Sequence, residues 1–337
     1  MEIIDSRNLK FNELRDRIIS DSDANPIYDS TFTDYYNEYF QTAIKSKFEI
    51  IVLNHGVPVL LFLIHEYEKT NSEGEPLSYY GLPGLIATNI KVSSDVKDFA
   101  FLEALNYLRE IGALKKFRSN PFQLIYPDIS SNKINCLKEL IALSTSTHIY
   151  FENVIDTSKE KEELLRNCSK SVKSAIKNSE YNGTYFTCID SKSSEISRMG
   201  AISDLKKLHF LSAGRSTRSD RSWNLQESLL ENGSVVIGVG YSNDKVVHGA
   251  MFMLANKKAF YAVSANSKEL NGKSGSHSFI YTSILALKDR GIERVYMGRQ
   301  FEELTRNISE KERNIAKFKS FFGGNLVMGI GLSNYED

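Results

Sequence analysis

The sequence predicts an α/β protein with mixed sheets, built as two similar tandem domains with a cleft between them. One series of strands, a turn and a helix occurs twice, first within residues 48–117 and again within 234–298. The length of 337 residues suits two domains of roughly 150 residues each, and each of these can bury its own core. The composition, 41% apolar and 25% charged, is that of an ordinary globular protein. We expect the domains at 1–155 and 156–337.

Each copy of the series is predicted from apolar runs and turn residues. The first copy consists of a strand at 48–53, a turn at 55–56, two strands at 57–64 and 77–81, a helix at 97–111 and a short strand at 114–117. The second copy consists of a strand at 234–240, a turn at 243–244, two strands at 246–254 and 259–264, a helix at 276–290 and a short strand at 294–298. The two helices also end alike, at Gly112 and Gly291, because glycine is preferred just after a helix. Paired domains commonly bind ligands in the cleft between them.

Further helical segments flank the copies. Leu9, Phe11, Leu14 and Ile18 recur at roughly helical spacing, and residues 32–44 read as an aromatic-rich helix that leads into the first strand.

Between the copies, residues 157–160 fit the S/T-x-x-E capping box, which predicts a helix that starts at Thr157 and ends at Asn182-Gly183. Its basic face is either an ordinary solvated surface or a surface for a polyanion such as RNA. The side chains of this face are Arg166, Lys170, Lys173 and Lys177.

Charge and composition exclude several classes of protein. Lys+Arg and Asp+Glu both number 42, so no overall field attracts nucleic acid or an anionic membrane. The longest apolar run, 57–64, is far shorter than the ~20 residues that span a bilayer. The charged N-terminus lacks an apolar signal region, and three scattered cysteines without a CxxC motif indicate the cytoplasm. Six dispersed histidines predict no metal site.

The last helix, 310–322, carries a lysine at the edge of its apolar face. We expect Ile315, Phe318 and Phe322 to form the core stripe, and Gly323-Gly324 to end the helix. At about 100° per residue Lys317 points away from this stripe, whereas Lys319 lies beside it. Lys319 is then either a snorkelling side chain whose ammonium reaches water, or a fixed positive charge that stabilises an oxyanion.

The strongest local charge feature is a run of three arginines, Arg215, Arg218 and Arg221, that ends at Trp223. Guanidinium groups at this spacing suit phosphate or carboxylate, although a basic junction with local ion pairs is the plainer interpretation. Other motifs fail: Gly272-Lys-Ser274 lacks the glycine of a phosphate-binding loop, and neither GxSxG nor a GxGxxG after a strand is present.

Over about 156–324 the order of these motifs resembles the FemAB/FemX-like branch of the GNAT superfamily, whose members carry two tandem GNAT-like domains. Over 28–120 the resemblance is weaker but topologically consistent, and residues 79–84 there resemble the family's glycine- and proline-bearing substrate loop. The motifs are Lys170–Lys177, Gly214-Arg-Ser216, Gly249–Phe252, Phe260–Ser264, Gly275-Ser-His277, Tyr296-Met-Gly298 and Ile315–Gly324.

The resemblance implies a cytoplasmic acyltransferase that forms an amide without a tightly bound cofactor. The donor is aminoacyl-tRNA or acyl-CoA, and the acceptor is a phosphorylated or nucleotide-linked amine, such as a sugar-nucleotide or cell-envelope precursor. Lys319 matches the family's functional lysine, which follows a phenylalanine, and is expected to be catalytic. Arg215 or Arg218 matches its phosphate-binding arginine. The remaining residues that we expect to bind substrate are Tyr79, Tyr80, Tyr261, Ser264, His277 and Arg299.

One departure from the family concerns the general base. Some relatives have an acidic residue in or just after the glycine-proline loop, whereas residues 81–89 contain no carboxylate. A side-chain general base is therefore not expected at this point. We expect the amine to attack directly, without an enzyme nucleophile. Two alternatives remain open: an acyl-CoA-dependent N-acetyltransferase, against which the missing pyrophosphate loop counts, and a non-catalytic binding module.

Overall fold

The computed structural model describes most of the chain in two compact units. Contacts between Cα atoms group Met1–Tyr150 with Met328–Asp337, and separately Phe151–Val327. The expected domains, 1–155 and 156–337, stay a prediction, and the contacts join the residues from Met328 onward to the first unit. The described residues are 1–20, 30–40, 43–70, 76–82, 87–89, 91–112, 117–119, 138, 141–179, 184–255, 257–267, 275–300 and 308–334.

The first unit is a mixed sheet with helices on both faces. Its elements are β1 Glu2–Asp5, α1 Phe11–Ser20, α2 Ser30–Phe40, β2 Ala43–Asn54, β3 Val57–Thr70, β4 Pro76–Leu82, β5 Ala87–Thr88, α3 Ser94–Glu110 and β6 Phe117–Ser119. The strands pair in the order β1-β2-β3-β4-β6, and among the described residues of this unit only β4 and β6 run parallel. Strand β2 turns into β3 at His55 and Gly56, both with positive φ.

Alternating strand residues form the two cores of this unit, because successive side chains of a strand point to opposite faces. On one face Val52 and Phe62 pack with Phe101 and Leu105 of α3. On the other face Ile51 and Leu61 pack with Phe11 and Ile18 of α1.

The second unit repeats this plan with more helices. Its elements are β7 Ser146–Asp156, α4 Lys161–Asn167, α5 Lys170–Ser179, β8 Thr184–Ile189, α6 Glu195–Ala213, α7 Asp220–Glu231, β9 Val235–Ser242, β10 Lys245–Ala255, β11 Lys258–Asn266, α8 Gly275–Asp289, β12 Arg294–Gln300, α9 Glu310–Ser320 and β13 Asn325–Ser333. Strand β7 begins in the first unit and β13 ends there. The strands of the second unit pair in the order β7-β12-β11-β10-β9-β8.

The predicted duplication is visible in the strand order. In the first unit β2, β3 and β4 pair antiparallel, and after α3 the chain returns as β6, parallel to β4. In the second unit β9, β10 and β11 pair antiparallel, and after α8 the chain returns as β12, parallel to β11. Both segments therefore have the strand order and directions that the repeated sequence pattern predicts.

The main core of the second unit lies between its sheet and helices α4, α5 and α8. Phe252 and Val295 of the sheet pack there with Leu164, Val172 and Phe279 of the helices. Helix α6 contacts the sheet closely at Gly249, where an added Cβ would lie 2.8 Å from Leu205 Cδ1.

Several sequence-based boundaries are wrong. The predicted capping box at Thr157 is absent, since the Thr157 hydroxyl donates to Ile292 O at 2.6 Å and α4 begins only at Lys161. The predicted single helix is two, α4 and α5. Leu9 is fully exposed before α1, α2 ends at Phe40, and β2 already begins at Ala43. Residues 114–116 and 272–274 lie outside the described residues.

No helix in the described part of the chain combines the length and apolar content needed to cross a membrane. Nor do the described residues bring together three or more histidine, cysteine, aspartate or glutamate side chains that could hold a metal ion.

Candidate active site

Helix α9 is fixed at its start by its own capping residues. The Ser309 hydroxyl accepts from the Glu312 amide at 3.2 Å, and the Glu312 carboxylate accepts from the Ser309 amide at 2.9 Å. This reciprocal pair satisfies amides that the first turn would otherwise leave unpaired. The helix ends before Gly323 and Gly324, whose φ angles of 77° and 102° favour glycine.

The buried side of α9 differs by one residue from the predicted one. Ile315 is 44% exposed, so its place in the core stripe was wrong, and Ala316 is buried instead. Lys319 lies one turn from Ala316 and is partly buried, whereas Lys317 is exposed. The predicted contrast between the two lysines is therefore present.

The Lys319 ammonium lies against the backbone of β12 and the ring of a tyrosine on β11. A Cβ added at Gly298 would lie 2.6 Å from Lys319 Nζ, so only glycine leaves room for the ammonium there. Lys319 Nζ is 5.8 Å from the centre of the Tyr261 ring, a distance at which the ring attracts a cation. Burial lowers the pKa of Lys319, and the carboxylate of Glu152 opposes this shift.

Asn153 holds the helix end that carries this lysine. Its side chain is buried, and Nδ2 donates to Lys319 O at 3.1 Å and to Gly323 O at 2.8 Å. A Cβ at Gly324 would lie 2.6 Å from Asn153 Oδ1. Asn153 also pairs with Gly298 in the sheet, so both ends of Lys319 contact the same Asn153–Gly298 pair.

Strands β11 and β12 diverge beside the lysine. Among the described residues, their last parallel pair is Phe260 with Tyr296, although both strands continue. Next to this last pair, the pairing of β11 with β10 skips Ala262, and the pairing of β12 with β7 skips Met297. Such bulges re-aim side chains and occur often beside active sites. The backbone edges that face each other beyond Phe260 can pair with an extended ligand.

Tyr261 and Ser264 form a hydrogen-bonded pair on β11 at this level. Burial raises the pKa of Tyr261 to about 12, and the hydrogen bond with Ser264 opposes the shift. The phenol therefore remains protonated at neutral pH. Tyr261 is partly exposed and Ser264 is exposed, so both can contact a ligand.

Two further predicted residues of this half, His277 and Arg299, have different surroundings from Lys319. The His277 ring packs against Phe318, Phe321 and Phe322, with ring centres 5.1, 5.6 and 6.1 Å away. His277 therefore packs against the C-terminal end of α9. Arg299 is exposed on β12, and in the sheet register it lies opposite the buried Glu152 of β7.

Arg215 and Arg218 lie between α6 and α7, and Arg221 lies in the first turn of α7. Arg218 contacts His209 Nε2, and its guanidinium lies 5.6 Å from the centre of the Trp223 ring. Burial, helped by the charge of Arg218, lowers the pKa of His209 to about 4, so neutral His209 accepts from Arg218. Arg215 is exposed, and in the described part of the chain it makes no hydrogen bond or ion pair.

Tyr79 and Tyr80 lie on β4 of the first unit, opposite Tyr67 and Glu66 of β3. Their side chains are outside the described part of the structure, as are residues 83–86 of the loop that follows. The role expected of these tyrosines stays a prediction.

Sequence reasoning missed Asn153 and Glu152. A signal was present: they are adjacent polar residues before the apolar Val154-Ile155, and all four are buried. Buried polar groups need partners, so this pair pointed to a built polar site. Gly298 was part of a recognised motif, but its contact with Lys319 was not foreseen.

Solved structures share this fold, although no protein-family model and no curated protein sequence matches the chain. FemX is 14% identical with a TM-score of 0.69, over 99% of this chain and 98% of FemX. L-PGS from Bacillus licheniformis is 10% identical with a TM-score of 0.59, over 96% and 92%. The C-terminal domain (DUF2156) of a putative lysylphosphatidylglycerol synthetase from Agrobacterium fabrum is 10% identical with a TM-score of 0.56, over 96% and 92%. The predicted fold class, mixed α/β with two similar tandem units, is confirmed, and FemX shares this fold.

Proposed function

We propose that this protein is an acyltransferase that joins an activated acyl or aminoacyl group to an amine. The observation that carries the proposal is Lys319, a partly buried ammonium held between Gly298 and Tyr261 where β11 and β12 diverge. A surface lysine that only snorkels needs no such contacts with a glycine and an aromatic ring. The FemX fold supports the same reaction class, as do neighbours that include L-PGS.

In this proposal Lys319 stabilises the oxyanion. In acyl transfer the carbonyl oxygen gains negative charge as the amine attacks, and a fixed cation stabilises that charge. A group of this kind contributes on the order of 3 kcal/mol. The Tyr261 ring and the Glu152 carboxylate both favour the charged form of Lys319 and oppose the lowering of its pKa by burial.

The reaction needs no enzyme nucleophile. The amine nitrogen attacks the acyl carbon, the tetrahedral intermediate collapses, and the ester oxygen or thioester sulfur leaves with the pair of electrons. The proton that the amine loses passes to solvent or to the leaving group. Holding both substrates in line contributes up to ~7–11 kcal/mol, so positioning accounts for most of the rate.

Aminoacyl-tRNA is the donor we favour, and a phosphorylated sugar-nucleotide or cell-envelope precursor is the acceptor. The reaction then takes place in the cytoplasm. Arg215 is exposed and makes no ion pair in the described part of the chain, so it is free to bind a phosphate. Arg218 is already engaged with His209 and Trp223, which makes Arg215 the better of the two candidates.

Acyl-CoA is the second candidate donor, and a specific observation favours it. Beyond the pair Phe260–Tyr296, β11 and β12 present backbone groups that no longer pair with each other. An extended ligand with amide groups can add to such an edge as a strand does. The pantetheine arm of coenzyme A carries amides, whereas the end of a tRNA does not.

A binding screen tests the proposal. The purified protein is titrated with aminoacyl-tRNA, acyl-CoA and a UDP-sugar, each with wild type and Lys319→Met. An acyltransferase binds one donor, and transfer to an amine falls in the variant while donor affinity changes little. Binding without transfer to any amine acceptor indicates a non-catalytic module, and failure to bind either donor refutes the proposal.

A further inference from the structure

A small pocket lies beside Lys319 in the second unit. It has a volume of about 290 Å³, and it is formed by Phe151 and Asn153 of β7, Gln300 of β12, Ser320 of α9, the Gly323–Gly324 turn and Leu326 of β13. Ser320 directly follows Lys319 in the chain, and Asn153 donates to Lys319 O.

The sheet register sets the distance from the lysine to this pocket. Lys319 Nζ lies against Gly298, which pairs with Asn153, and the next pair on the same face is Gln300 with Phe151. Residues two apart on a strand are separated by about 6.7 Å. The pocket therefore begins within the reach of a group attached to a carbonyl carbon at Lys319.

The chemistry of the pocket is neutral. None of the described residues that line it carries a charge. Phe151 and Leu326 offer apolar surface, and Leu326 remains 63% exposed. The turn of Gly323 and Gly324 adds no side chain, and at Gly324 a Cβ would clash with Asn153 Oδ1 and Val154 O. These residues offer no counter-charge to a charged group.

We infer that this pocket binds the side chain or alkyl tail of the transferred acyl group, and that it selects a neutral side chain or tail larger than that of glycyl or acetyl. The inference rests on the proposed function. Three groups surround the reacting carbonyl: the leaving group, the attacking amine and the acyl substituent. The carrier of the leaving group and the phosphorylated acceptor are large and charged, so only the acyl substituent matches the size and neutrality of the pocket.

The test varies only the acyl group in two series of unreactive donor analogues, followed by calorimetry. One series is adenosine that carries a glycyl, leucyl or glutamyl amide in place of the aminoacyl ester. The other is a thioether analogue of coenzyme A with an acetyl-, isovaleryl- or succinyl-like group. In the series that binds, the branched apolar member should bind about tenfold more tightly than the smallest member. The charged member should bind no better than the smallest.

Two variants examine the pocket itself. Ser320→Phe fills it and should remove the preference for the branched group over the smallest. Lys317→Phe adds the same ring to an exposed position of α9 and should keep the preference. Leu326→Ala removes an exposed wall, so folding is little affected, and should weaken only the branched member.

The outcomes separate the two proposals. Equal affinity for all members of the binding series overturns the pocket assignment and leaves the proposed function standing. A preference that survives both Ser320→Phe and Leu326→Ala also overturns the assignment. Failure of both series to bind overturns the pocket assignment together with the proposed function.

Discussion

Gly298→Ala is expected to displace the Lys319 ammonium without unfolding the protein. The added Cβ would lie 2.6 Å from Lys319 Nζ, whereas ordinary contacts begin at 3.4 Å. The flexible lysine must retreat, and a misplacement of about 1 Å in an active site can cost roughly 100-fold in rate. The substitution also places alanine at a φ of 93°, which costs about 1–2 kcal/mol of stability.

Gly291→Ala is the matched control. Gly291 has a φ of 82°, and a Cβ there would meet no atom within 4 Å. Both variants therefore carry similar backbone strain and should show similar falls in Tm. Single-turnover acyl transfer should fall by roughly 100-fold only in Gly298→Ala. Equal rates for the two variants would refute the placement of Lys319 at the reacting carbonyl.

Three further results are expected. Asn153→Ala should lower Tm, because the partly buried carbonyls of Lys319 and Gly323 lose their side-chain donor. It should also lower the rate in wild type but not in a Lys319→Met background. Arg215→Ala should raise the KM for the acceptor with kcat little changed, the sign of lost uniform binding. The third concerns His209, whose pKa is lowered to about 4 in the folded protein. Because the unfolded state then binds more protons below pH ~6.5, the free energy of unfolding should decrease as the pH is lowered from ~6.5 to ~4, by up to roughly 3 kcal/mol.

Each of these has an outcome that contradicts it. Additive effects of Asn153→Ala and Lys319→Met on the rate would show that Asn153 does not act through Lys319. An unchanged acceptor KM in Arg215→Ala, with Arg218→Ala as comparison, would remove Arg215 from the site. A His209→Asn variant with the same pH dependence of unfolding as wild type would assign that dependence to other groups.

The repeated unit could be predicted from the sequence because its signals are local. Apolar runs, the turns at His55-Gly56 and Asn243-Asp244, and the glycines that end two helices each depend on a few neighbouring residues. Positive φ angles at these turn residues agree with that interpretation. Local signals were misleading where a tertiary bond competed, as at Thr157, whose hydroxyl donates to Ile292 O.

Only part of the site could be predicted in the same way. Helical spacing alone distinguished Lys319 from Lys317, and the structure shows one partly buried and the other exposed. It did not predict that Ala316 rather than Ile315 is buried, since a small residue is selected by how closely the helix approaches the sheet. The contacts of Lys319 with Gly298 and Asn153 join residues distant in sequence, and no periodicity encodes them.

The most direct test of the central claim compares Lys319→Met with Lys317→Met in single-turnover acyl transfer at saturating donor. Methionine keeps much of the aliphatic packing of lysine and removes its charge. If Lys319 stabilises the oxyanion, its variant should lose roughly 100- to 1,000-fold in rate with donor affinity little changed, while Lys317→Met, on an exposed position of the same helix, should match wild type. Equal rates for the two variants would mean that Lys319 is only a packed, snorkelling side chain.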